Sequence, residues 1–198
     1  MTSTTERPTG QWFTGGDGHQ WWFDSGALAL DFAYTGGMGG DRDEWELLRT
    51  PENLAEWLSA RFTEVDGTVS DGDLRDALHL RSAVARTATR ASRGEAPDAS
   101  DVDVINLYAA TPDIPPALIG GTRQAGRTRA RTGQALSELA RQAVELFGPE
   151  TIERFRECSA DDCSIVFYDE SRSNNRRWCS MQRCGNRAKV RTHRSKRA

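Results

Sequence analysis

Four cysteines fall in two equal pairs near the C-terminal end of a 198-residue chain: Cys158 with Cys163, and Cys179 with Cys184, a CX4C–X15–CX4C pattern. Equal pairs, joined by a spacer long enough to go out and return, bring four sulfurs to one point. Zinc suits that point, because four thiolates at ~2.3 Å complete a tetrahedral shell and leave no position open for a substrate. The chemistry read here is structural: one zinc ion held by Cys158, Cys163, Cys179 and Cys184. Redox-active or disulfide-bonded cysteine is the competing reading of the same four residues.

The charge pattern indicates what such a centre would present. Residues 1–150 hold 14 Lys and Arg against 23 Asp and Glu, a net of −9, whereas residues 151–198 hold 12 against 6, a net of +6. Residues 171–198 carry ten basic side chains and no acidic one. Lys and Arg at this density neutralise phosphates and release counterions, so the expected partner is nucleic acid, in particular duplex DNA. After Cys184, Asn186 is placed to cap a helix on which residues 187, 190, 191 and 194 share one face. Arg176, Arg177, Arg187, Lys189, Arg191 and Arg194 are the candidate nucleic-acid contacts, chiefly to phosphates. His193, Lys196 and Arg197 widen the basic surface. A solvated basic helix, or one docked back on the acidic body, are the alternatives.

The elements that must position these groups start from little apolar material. Between the cysteine pairs stand Ile165, Val166, Phe167, Tyr168 and Trp178, a stock small enough to call for a metal staple. Residues 165–168 read as a strand and 176–178 as its returning partner, a β-hairpin between the ligand pairs. Residues 151–157 read as a short helix with Ile152 and Phe155 inward. The body ahead reads as mainly helical. Thr50 before Pro51 is an N-cap and first helical residue, followed by an apolar stripe of Leu54, Trp57, Leu58 and Phe62. An Asp66-Gly67 turn precedes a longer helix capped by Ser70 or Asp71, with Leu74, Ala77, Leu78, Ala85 and Ala88 on one face and Gly94 and Pro97 at its end. Ser100 caps a shorter helix. Residues 111–121 connect, 123–132 form a hairpin or exposed loop, and 134–147 is the clearest helix, stopped by Gly148-Pro149. Near the start, Leu28, Leu30 and Phe32 fit a strand or a short helix, and residues 1–20 offer few apolar anchors.

Other chemistries find less support. No apolar run approaches the ~18 residues of a membrane helix. MTSTTERPTG lacks the apolar stretch of a signal peptide, so the cytoplasm is expected. His19, His79 and His193 are scattered, and no HEXXH, GXSXG or Cys–His nucleophile pattern appears, so an enzyme is not expected. The glycine run from Gly36 to Gly40 lacks the Lys-Ser/Thr of a phosphate-binding loop and reads as a turn. Asp31 reads as a carboxylate that binds backbone. Trp12, Trp21, Trp22, Trp45 and Trp57 read as core, with room for some of them to line an effector pocket.

Cys179-Ser-Met-Gln-Arg-Cys184-Gly185-Asn186-Arg187, with Cys158 and Cys163 upstream and Arg176-Arg177-Trp178 before the third cysteine, resembles the CGNR zinc finger over residues 158–198. The body resembles the ABATE domain, found ahead of this finger in stress-induced bacterial transcriptional regulators. The matching pieces are Leu28-Ala-Leu30-Asp31-Phe32-Ala33, the Leu48…Pro51…Leu54…Trp57-Leu58 segment, and the stretch just before Cys158. Tyr34 stands where members of that family commonly carry Asn. The resemblance implies a DNA-binding regulator. The expected architecture is α+β: a mainly helical regulatory domain with a short β element over 1–150, then a treble-clef-like four-cysteine zinc finger, β-hairpin plus helix, over 151–198. A small-molecule effector in the first domain and a homodimer fit this expectation. A zinc–thiolate redox switch and an RNA- or ribosome-associated zinc protein remain open as alternatives.

Overall fold

A computed structural model describes residues 9–14, 18–39, 43–62, 65, 68–115 and 130–195. Gly15, Gly16, Gly40, the Asp66-Gly67 turn, residues 116–121, Arg123, Arg127, Arg129, Lys196 and Arg197 lie outside the described residues.

Among the described residues the first element is a hairpin that the early residues did not announce. Strands β1 (Gln11–Thr14) and β2 (Gln20–Phe23) pair antiparallel, with Trp12 opposite Trp22 and Phe13 opposite Trp21. Strand alternation sends Phe13, Trp21 and Phe23 inward and leaves Trp12 and Trp22 exposed, edge to face at 5.6 Å. Two of the five tryptophans expected in the core therefore stand outside it.

Helices follow. The Leu28 segment is helix α1 (Leu28–Ala33), buried at every residue, which explains why its apolar pattern did not separate helix from strand. Helix α2 (Pro51–Ser59) starts on a capping box in which Thr50 and Asn53 bind each other's backbone amides. Ser70 and Asp73 do the same for α3 (Asp71–Ser92), which ends at Gly94 with φ +70°. Helix α4 (Ala99–Ala109) begins from Asp98 rather than Ser100, and α5 (Thr132–Leu146) begins two residues before the expected start at 134. Leu54, Leu58, Leu80, Val84, Leu136 and Leu139 form one core between α2, α3 and α5, with Phe32 of α1 in its midst.

The C-terminal part differs from the expected hairpin. Residues 152–154 make a single tight turn, and 155–157 are strand β3 (Phe155–Glu157) instead of helix. Strand β4 (Val166–Tyr168) pairs antiparallel with β3, not with 176–178. The reason is that both edges of β4 are taken. One faces β3. On the other, the Val166 amide donates to the Tyr34 hydroxyl at 2.8 Å and the Tyr168 amide to the Ser25 carbonyl at 2.8 Å. The returning segment is held by the Asp169 carboxylate, which accepts the amides of Ser171 (2.9 Å) and Arg176 (2.7 Å). A wide turn (Met181–Gly185) then leads into helix α6 (Asn186–Ser195), so Asn186 is its first residue and not its cap.

Candidate metal centre

The four cysteines come from four local structures. Cys158 follows β3, and its amide donates to the Ile165 carbonyl at 2.8 Å. Cys163 closes a tight turn through its amide and the Ala160 carbonyl at 3.0 Å. Cys179 ends the extended return. Cys184 sits in the wide turn, whose start is capped by the Ser180 hydroxyl accepting the Arg183 amide. The four sulfurs lie within 4.8 Å of one another, with 3.8 Å between Cys163 and Cys179 and 3.5 Å between Cys179 and Cys184. A tetrahedron with ~2.3 Å metal–sulfur bonds has edges of about 3.8 Å. All four cysteines are free, and among the described residues no other group of three or more His, Cys, Asp or Glu is placed to hold a metal. The cluster fits, and is able to bind, one zinc ion.

Proton chemistry agrees with that fit. Hydrogen bonds from Cys163 and Cys179 hold the Cys158 thiol far below its ordinary value, and the same contact pushes Cys163 up to about 12. Thiols this close do not ionise together unless a cation replaces their protons. Further donors meet the sulfurs: the Cys179 amide reaches Cys158 Sγ at 3.4 Å, and Arg187 Nη2 reaches Cys184 Sγ at 3.3 Å.

The wall around the centre is built from the other end of the chain. Phe13, Trp21, Phe23, Tyr34 and Trp45 pack in one cluster with Ile165, Phe167, Cys158, Cys179 and Cys184. Three of the cysteines are buried there and Cys163 is half-buried. Arg183 lies over the Trp21 ring at 4.7 Å. Gly26, at φ +84°, lets the 24–27 loop approach so closely that any Cβ there would run into the Tyr168 carbonyl.

The six basic residues singled out from the sequence separate into three groups. Arg176 turns inward: its Nη2 donates to the carbonyls of Asp24 (2.8 Å) and Cys179 (2.5 Å), its Nε to that of Trp178 (3.1 Å), and its guanidinium lies 4.3 Å from the Phe167 ring. It ties Cys179 to the body. Arg187 and Arg191 are one helical turn apart and engage Asp162 on the first cysteine turn, at 3.1 and 3.2 Å, and Arg191 also meets Asp161 at 3.6 Å. Arg177, Lys189 and Arg194 are exposed, with Arg177 beside the Trp178 ring. Asp161 and Asp162 were not among the residues singled out from the sequence. Their signal was available, since they are the only acidic residues between the first two cysteines.

The geometry can be set beside known proteins. The ABATE family model, described as "Putative stress-induced transcription regulator", matches residues 26–150. The chain belongs to the ABATE family. Residues 154–197 match the CGNR zinc finger model, so the resemblance read from Cys184-Gly185-Asn186-Arg187 is borne out together with the order of the two parts. In the CGNR tetrad the first and last residues meet, as Arg187 folds back onto the Cys184 sulfur. In the ABATE region Asp31 does bind backbone: its carboxylate accepts the Gly10 amide (2.5 Å) and the Ser25 hydroxyl (2.6 Å). A comparison with curated proteins finds no match. Among the described residues no helix is long and apolar enough to cross a membrane.

Proposed function

We propose that this chain is a zinc-dependent, DNA-binding transcription regulator of the cytoplasm, without enzymatic activity. Cys158, Cys163, Cys179 and Cys184 hold the metal. Zinc supplies a closed structural shell that offsets the thiolate charges. The observation that carries the reading is the placement of α6: it starts two residues after Cys184, at the end of the sulfur cluster's last turn, and carries Arg187, Lys189, Arg191 and Arg194 along its length. A cage that fixes the root of a basic helix fixes the cations relative to one another, which is what phosphate contact requires. Arg177, Arg187, Lys189, Arg191 and Arg194 meet phosphates, and Arg176 positions them by holding the return segment. The family description supports a regulatory role. The body carries the signal input or a dimer contact.

Affinity for duplex DNA measured against salt tests this. If all five cations neutralised phosphates, the slope of log affinity on log salt would be about −4.5. A flat dependence contradicts polyanion binding, and a strong preference for structured RNA at equal salt moves the partner from DNA to RNA.

One observation favours a second reading. Cys163, the least buried ligand, lies 3.8 Å from Cys179, near enough to form a disulfide with little movement. Peroxide, with two protons from solvent, would take two electrons from this pair of thiolates, giving a disulfide and two waters and releasing zinc. Zinc release by mild peroxide, reversed by a thiol reductant with return of DNA binding, supports a redox switch. Inertness to peroxide removes it.

A further inference from the structure

The basic end of the chain is not uniformly available. Arg187 forks onto Asp162 (Nη1–Oδ2 3.1 Å, Nη2–Oδ1 3.4 Å), and Arg191 Nη2 reaches the same Asp162 Oδ2 at 3.2 Å. Arg191 Nη1 lies 3.6 Å from Asp161. Two guanidiniums thus converge on one carboxylate, with a second carboxylate beside it. Arg187, Arg191 and Arg194 occupy positions i, i+4 and i+7 of α6 and so share a face. The aspartates engage the first two. Among the described residues, Lys189 and Arg194 have no ion-pair partner.

These pairs are roughly half exposed or more, and exposed pairs contribute little to folding. Their geometry matters more than their stability, because a guanidinium grips a phosphate with the same fork it uses for a carboxylate. A phosphate approaching this face meets two arginines already holding an anion. We infer that Asp161 and Asp162 act as a built-in phosphate mimic, which sets the threshold that nucleic acid must pass to engage Arg187 and Arg191. The inference rests on the DNA-binding reading above. While Asp161 and Asp162 hold Arg187 and Arg191, those two arginines neutralise no phosphate and release no counterions from the duplex. Arg177, Lys189 and Arg194 then set the salt dependence, with a slope of about −2.7 rather than −4.5.

The test measures affinity for a mixed-sequence duplex of about 30 base pairs between about 0.05 and 0.3 M salt, with zinc content determined on each protein. D161N/D162N is expected to bind about tenfold tighter near 0.1 M, with a slope close to −4.5, and D162E to behave as the unaltered chain. Asp162 also touches Arg187, which reaches a ligand sulfur. Asp161→Asn alone therefore serves as the variant that cannot disturb the fold, since that side chain is 97% exposed. Because Asp162 still holds Arg191, it is expected to steepen the slope by less than one unit, in the same direction as the double variant. Unchanged slope and affinity in D161N and D161N/D162N, with the unaltered chain still binding, overturns the mimic and leaves DNA binding standing. Failure of every form to bind the duplex overturns both.

Discussion

The Tyr34 hydroxyl donates to the Val166 carbonyl at 2.7 Å and accepts the Val166 amide at 2.8 Å, joining residues 132 apart in sequence. One phenol thereby serves both backbone groups of Val166, on the edge of β4 that faces away from β3. It sits in the cluster that contains the cysteines, so the ABATE region, through Tyr34 and Trp45, and the CGNR segment share a wall.

Tyr34→Phe keeps the ring and removes the latch. It leaves a buried amide and carbonyl unpaired, which costs about 1–3 kcal/mol. Thermal unfolding is expected to fall by about 2–4 °C per kcal/mol. An unchanged melting temperature would mean that water or Val166's neighbours replace the hydroxyl.

Cys184→Ser is expected to abolish stoichiometric zinc binding. Because Phe13, Trp21 and Trp45 pack on the same cluster, the loss reaches back to the β1–β2 hairpin. Tryptophan emission should shift to the red while the helical core around Leu54, Leu80 and Leu136 keeps most far-ultraviolet ellipticity. Retained zinc in this variant would show that the ligand set is wrong.

Two adjacent arginines should behave differently. Arg176→Ala removes donors to three carbonyls and a ring contact, so it is expected to cost about 2–4 kcal/mol and to weaken zinc retention. Arg177→Ala should leave zinc and stability unchanged and make the salt slope of DNA binding shallower by about one. Equal effects of the two substitutions in both assays would erase the distinction between a positioning and a contacting residue.

Asp31 is expected to give the stability curve a pH dependence whose sign follows from its burial. Burial raises its carboxyl from 3.8 to about 6, and the Ser25 hydroxyl, the Gly10 amide and Arg61 offset this only in part. Between those values the folded chain holds a proton that the unfolded chain has released. Stability therefore falls as pH rises from about 4 to about 6, by about 3 kcal/mol once complete. The difference between the unaltered chain and Asp31→Asn, followed across this window, isolates the effect from acid release of zinc. A flat difference contradicts the raised value.

The sequence spoke most clearly where spacing alone encodes geometry. Equal CX4C pairs, the Thr50-Pro51 start of α2 and the Ser70 cap of α3 are local signals with local outcomes. What stayed hidden depends on partners distant in sequence. The partner of β4 could not be read from residues 165–178, because its free edge is capped by Ser25 and Tyr34 from the other end of the chain. The β1 strand is only four residues long, with a single buried aromatic, Phe13, as its anchor. The inward turn of Arg176 looked no different in sequence from the exposure of Arg177, since what distinguishes them is the folded placement of the Asp24, Trp178 and Cys179 carbonyls and the Phe167 ring.

If sulfur-bound zinc roots a helix that binds DNA, metal and DNA affinity must rise and fall together. Duplex affinity at near-physiological salt is therefore measured on the one-zinc protein, after chelation, and after zinc is returned. Binding by the zinc-loaded chain, its loss on chelation and its recovery with metal are expected. Equal affinity of the metal-free chain, or no binding by the zinc-loaded one, would contradict the zinc-rooted helix.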